Sequence, residues 1–352
     1  MNIQQKVNEN GGRVAGLDII RCFASLFTIA GHFFAFNTPF KSTVFDGSFS
    51  LFIQAMASFT LKGVPFFLML SGFLLSTKPF DGTYYKRGTK VIVAYLFFSI
   101  ITIFFRQFYL HENLSWLKWT LKILDFSAIP YAWYIEMWIG LFLLSPFLNI
   151  LYRNIDTKKR KIQLLIILFC ITAVPHLTNR YGLHIIPEYW KSIYPLTFYF
   201  AGAFIKEYKP KCSFRVGLPI VLLISMINPM FNMLIGRQST LIQIAGDPYG
   251  ALGMISSIVI FLMVYQIDVK PKRIKRALSS LAQATLGIYL SCYIFDAIYY
   301  PIFLDRFFVT QQQFGVYFFV LVPLIFVSSF ILSQIKSYLF NFVGMVTSRL
   351  RA

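Results

Sequence analysis

Residues 16–34 read GLDIIRCFASLFTIAGHFF. The stretch is long and apolar enough to cross a bilayer as a helix, yet Arg21 and His32 sit in it eleven residues apart. At about 100° per residue, eleven steps bring a helix back to within roughly 20° of its starting face. Arg21, Ser25, Thr28 and His32 therefore share one stripe of an otherwise apolar helix. Ionisable groups inside a membrane helix are costly and mark transport paths or reactive centres. The stripe is expected to line a wet or reactive path through the membrane.

The rest of the chain agrees with a membrane setting. It has 352 residues, 57% hydrophobic and only 13% charged, about half the charge of a soluble domain. Apolar runs predict ten transmembrane helices near 17–36, 51–76, 91–109, 131–151, 162–175, 193–205, 216–235, 249–267, 281–303 and 315–338. The net charge of +19 would suit nucleic acid, but its distribution excludes that partner. With the N-terminus set in the cytoplasm, 24 of the 33 Lys and Arg fall in cytoplasmic segments and eight outside; Lys62 falls within a span. That bias predicts both termini on the cytoplasmic side, with anionic lipids as the basic residues' partners. Residues 1–352 form a single all-α membrane domain, with a cytoplasmic segment at 1–16 and a tail at 339–352. Residues 17–36 read as a retained span rather than a signal peptide. Cys22, Cys170, Cys212 and Cys292 show neither a disulfide framework nor metal spacing, so no metal is expected. SWLKWTLKIL at 115–124 reads as an amphipathic helix lying on the outer surface.

Four segments, in order, give the chain a family resemblance. They are LDIIRCFASLFTIAGH at 17–32, GVPFFLMLSGFLLS at 63–76, AWYIEMWIGLFLLSPFLN at 132–149 and LGIYLS at 286–291. Together they resemble the acyltransferase 3 family of membrane O-acyltransferases. The resemblance implies transfer of an acyl group, usually acetyl from acetyl-CoA, onto a cell-surface polysaccharide or lipid-linked glycan. It implies a multi-pass protein of the bacterial cytoplasmic membrane. It also singles out Asp18, Arg21 and His32, and the matched aromatics Trp133, Tyr134 and Tyr289 as substrate-binding candidates. Two positions depart from the family pattern. RGTKVIVAY at 87–95 keeps Arg87 but has Lys90 as its second base and Val93 in place of Pro. Cys292 stands where the family often has a second His.

The residues suggest roles in their own right. His32 could act as a general base toward a sugar hydroxyl or carry the acyl group itself. Arg21, near the cytoplasmic end, has a fork suited to phosphate, and Asp18 one turn earlier could hold it in place. Glu136 is expected at the depth of His32, where it could orient the ring or hold the acceptor; Asp296 is a weaker candidate in the same layer. Lys62, beside Gly63 and Pro65, predicts a broken helix and a buried cation that could meet an acyl carbonyl, a CoA phosphate or Glu136. Lys86, Arg87 and Lys90 could clamp the CoA phosphates. A rival reading is a transporter or flippase for an anionic or glycolipid substrate, with the stripe as its path. A third is an interaction protein without chemistry.

Overall fold

The computed structural model describes residues 14–35, 47–179, 182–234, 247–307 and 314–349. Among these residues the secondary structure is helical, without strands. Helix α1 covers Ala15–Ala35. The second expected span is broken into α2 (Gly47–Thr60) and α3 (Gly63–Leu75). The break falls at Leu61–Lys62, where the sequence places a Lys before Gly and Pro. Then follow α4 (Thr89–Phe108), the short α5 (Trp116–Leu124), α6 (Trp133–Arg153), α7 (Lys158–Thr178) and α8 (Tyr194–Tyr208). The last four are α9 (Phe214–Leu234), α10 (Ala251–Val264), α11 (Lys272–Phe307) and α12 (Phe318–Arg349).

Among the described residues, six helical segments are long and apolar enough to cross a membrane: Ala15–Phe34, Leu51–Leu75, Tyr85–Phe108, Trp133–Arg153, Lys272–Phe307 and Gly315–Phe342. Phe214–Ile227 and Ala251–Val264 are shorter apolar helices; the expected segment 162–175 lies within α7, and 193–205 falls in α8 except for Ile193, the last residue of the 3-10 turn before it. Helix α11 begins ahead of the expected span 281–303, with Lys272, Arg273, Lys275 and Arg276 in its first turns. Lys and Arg are good helix formers, so a helix need not stop where its apolar stretch stops.

Two ends of the bundle are defined by polar contacts. At one end Asn149 Nδ2 donates to the Leu75 carbonyl at 2.9 Å, and Arg153 donates to that of Ser76 at 2.7 Å. Lys161 pairs with Glu207 at 2.8 Å, and the Tyr265 hydroxyl donates to the Pro210 carbonyl at 2.6 Å. The ends of α3, α6, α8 and α10 thus meet the start of α7. The start of α1 joins them, because Gly16 packs on the Val264 and Tyr265 carbonyls. His32 lies at the far end of α1. There Arg106 reaches back from the last turn of α4 to the Ser127 and Ala128 carbonyls at 3.1 and 2.9 Å. It also pairs with Glu112 at 2.7 Å and covers the Trp119 ring at 5.1 Å. This clamp shapes the segment that carries Tyr131. Helix α5 is capped by Ser115, buries Trp119 and exposes Trp116, Leu117, Leu121 and Leu124, as an interfacial helix does.

Candidate active site

His32 sits on the last turns of α1, 7% exposed. Its Nδ1 lies 3.6 Å from Cys292 Sγ and 3.7 Å from Asp296 Oδ2, both on α11. The Tyr131 ring covers the imidazole, with centroids 3.9 Å apart. Cys292 and Asp296 are four residues apart, so one face of α11 presents both. Cys292 Sγ also donates to the Tyr289 carbonyl at 3.1 Å. Asp296 is 2% exposed, and neither of its oxygens closes a hydrogen bond. A buried carboxylate in that condition needs a proton or a cation nearby, and the His32 ring is the titratable base beside it. The ligand atoms of His32, Cys292 and Asp296 all lie within 4.8 Å of one another, so they could also hold a metal ion. Metal content is thus a direct check on the expectation of a metal-free site.

The other candidates divide into those near this centre and those away from it. The Tyr289 hydroxyl donates to the Tyr131 carbonyl, and the Tyr134 and Tyr289 rings meet edge to face at 5.8 Å. These two tyrosines therefore join the wall behind His32. Trp133 is 40% exposed, on the outside of α6. Glu136 is also exposed, so the expectation that it orients His32 is corrected: Asp296 is the carboxylate at the ring. The sequence puts both acids at the depth of His32, but depth does not say which face of a helix points inward. Lys62 is 2% exposed, and its ammonium donates to the Ser58 carbonyl rather than pairing with Glu136.

The polar stripe of α1 is packed, not open. Thr28 donates to the Ala24 carbonyl at 2.8 Å, and Ser25 to that of Cys22 at 3.1 Å. A Cβ on Gly63 would run into the Thr28 hydroxyl, so α3 starts directly against the stripe. The hydroxyls that suggested a wet path are satisfied within their own helix. At the other end of the stripe, Arg21 Nη1 lies 2.7 Å from Asp18 Oδ1. This is the expected one-turn pair, with Asp18 buried and Arg21 partly exposed.

The expected phosphate clamp lies on the exposed segment before α4 and on the first turn of that helix. Lys86, Arg87 and Lys90 are all exposed. Arg87 lies 3.8 Å from Asp81 and over the Tyr84 ring at 5.7 Å. Hydrogen bonds from Thr83 hold the Asp81 carboxyl below the usual carboxylate range, with Arg87 adding to the effect. The cluster is wet, basic and at the Asp18 end, which suits the phosphates of a donor.

Tyr131, Cys292 and Arg106 carry little signal as site residues in the sequence. Cys292 drew notice only as a departure from a pattern, while Tyr131 and Arg106 resembled ordinary interfacial residues.

Among known families, residues 14–334 match the model described as an acyltransferase domain, Acyl_transf_3. No curated protein and no solved structure matches the chain.

Proposed function

The chain belongs to the acyltransferase 3 family, and from that premise we propose that this membrane acyltransferase moves acetyl from acetyl-CoA onto a hydroxyl of a surface polysaccharide or lipid-linked glycan. The observation that carries the reading is His32, buried between Cys292, Asp296 and Tyr131. In this mechanism His32 takes the proton of the acceptor hydroxyl as its oxygen attacks the acyl carbonyl, and then returns it to the departing CoA thiolate. Asp296 supports the imidazolium that forms between the two steps. Arg21, held by Asp18, meets the donor from the Asp18 end, where Lys86, Arg87 and Lys90 bind its phosphates.

The same reading assigns ten spans with both termini on the cytoplasmic side of a bacterial cytoplasmic membrane. It puts the Asp18 end at the cytoplasm and the His32 end outward. A transporter is less well supported, because Ser25 and Thr28, which would have lined its path, are buried and α3 starts directly against Thr28.

The test is acyl transfer by the purified full chain in detergent or nanodiscs. Wild type should release CoA from acetyl-CoA and leave an ester on glycan extracted from cells deleted for the gene. Mass spectrometry of the glycan identifies the acyl group and its position. A folded wild-type protein that does neither overturns the acetyl-CoA reading.

A further inference from the structure

A second cluster of polar side chains lies apart from His32. His176 stands on the last turn of α7, fifteen residues beyond Lys161, which places it about 22 Å along the helix from the Asp18 end. Its Nδ1 is 2.5 Å from Asp247 Oδ2, while Asp247 Oδ1 accepts from the Tyr249 amide at 2.9 Å. In the neutral ring a carboxylate so placed selects the tautomer with the proton on Nδ1, which leaves the lone pair on Nε2. His176 Nε2 is buried and has no hydrogen-bond partner. The His176 side chain borders a cavity of about 280 Å³ that is also lined by Asn179, His184, Glu188, Lys191 and Asp247.

The chemistry of this lining is balanced. Nε2 offers an acceptor, as do the oxygens of Glu188. Lys191 and Asn179 offer donors, and both already hold Glu188, Asn179 at 2.7 Å. These bonds keep the Glu188 carboxyl below the usual range, so it is ionised and accepts only. Such a lining suits a neutral ring with several hydroxyls better than an anion or an apolar chain. The 3-10 helix Glu188–Ile193 that forms the rim also carries Tyr189 and Trp190, 87% and 47% exposed. Exposed rings beside a polar cavity can take the apolar face of a sugar. On the inner side, Tyr194 and Tyr249 stack at 4.1 Å and pack against the core cluster that contains Tyr134 and Tyr289. A wall of tyrosines thus runs from this cavity toward the ring beside His32.

We propose that the cavity between α7 and the start of α10 is the acceptor subsite: it seats one sugar ring of the glycan, with a ring hydroxyl donating to His176 Nε2 and others bonded to Glu188 and Lys191. This assignment rests on the glycan-acylating reading for its acceptor. It adds a site 144 residues from His32 in sequence, outside all four matched segments.

Two measurements separate the subsite from the reaction. The first is binding: fluorescence of the full chain in nanodiscs, titrated with polysaccharide extracted from cells deleted for the gene, against a Trp190→Phe control that identifies the responding ring. The second is steady-state transfer with the same polysaccharide and acetyl-CoA. His176→Gln and Asp247→Asn should weaken polysaccharide binding about 10- to 100-fold and raise its KM by a similar factor, while the KM for acetyl-CoA holds. Glu188→Gln, on the exposed rim, serves as a second variant that keeps the fold if Asp247→Asn does not. Binding and KM within twofold of wild type in folded His176→Gln and Glu188→Gln overturn the subsite. Binding that depends on His176, in a protein that transfers no acyl group, keeps the subsite and overturns the acyl-transfer reading instead.

Discussion

His32 and Asp296 approach each other from residues 264 positions apart, and their pairing gives different expected phenotypes to two carboxylates that look alike in the sequence. Replacing His32 with Ala should lower kcat by about 10²–10⁴ in a protein that still inserts and purifies as wild type. Asp296→Asn should cost a large part of that loss, and Asp296→Asn with His32→Ala should cost little more than His32→Ala alone, because groups acting as one unit are not additive. Glu136→Gln, on an exposed helix face, should leave kcat within a few-fold. Single and double variants assayed for CoA release decide this, and additive losses would uncouple Asp296 from His32. The sequence made His32 and Arg21 visible because both lie on one helix, where spacing alone sets the angle between them. It could not reveal Cys292 and Asp296 as neighbours of His32, since their meeting is a tertiary contact between the first helix and α11. Arg21→Lys belongs to the same scale. The guanidinium makes a 2.7 Å contact with Asp18, and an ammonium cannot keep that contact and offer a planar fork to phosphate as well. Lys should therefore be nearly as damaging as Ala in CoA-release assays, and full activity in Arg21→Lys would reduce Arg21 to a membrane anchor.

At the scale of elements, the break between α2 and α3 was legible because Lys62, Gly63 and Pro65 each disfavour a continuous membrane helix, for different reasons. Close helix packing at Gly72, a small residue in the matched segment 63–76, was legible, but its partner was not: Gly202 on α8 lies in a separate apolar run with nothing to single it out. In the structure a Cβ on Gly72 would strike the Tyr199 carbonyl, and one on Gly202 the Met69 carbonyl. These are backbone atoms, so no side chain can rotate away to make room. The absence of side chains at the crossing lets the two backbones approach as membrane helices do at small residues. Gly72→Ala and Gly202→Ala should each destabilise the folded protein by about 1–3 kcal/mol, the usual effect of overpacking. A thermal melt in detergent monitors it, and Gly82→Ala, where a Cβ meets nothing within 4 Å, is the matched control. Equal melting temperatures for all three would mean that α3 and α8 do not cross this tightly.

For the whole molecule, the proposed mechanism requires two chemically different ends. The Asp18 end carries the exposed Lys86, Arg87 and Lys90, and the opposite end carries His32 and the His176 cavity. From Arg21 to His32 is eleven residues of helix, about 16 Å, so a donor bound by its phosphates at the first end must extend its acyl arm inward to react. Contacts to remote phosphates are alike in ground and transition states, so their loss should appear in KM more than in kcat. Arg87→Ala and Lys90→Ala are therefore expected to raise the KM for acetyl-CoA several-fold at low salt. Because these side chains are exposed, the difference from wild type should shrink as ionic strength rises and the Debye length falls below about 10 Å. Asp81 adds a control. Its carboxylate lies 3.8 Å from Arg87 and competes with any phosphate for that cation. Asp81→Asn should therefore lower the KM for acetyl-CoA, opposite to the effect of Arg87→Ala. Steady-state CoA release at two salt concentrations measures all three variants. If the KM is unmoved by Arg87→Ala, Lys90→Ala and Asp81→Asn alike, the basic segment before α4 serves orientation in the membrane and the donor phosphates bind elsewhere.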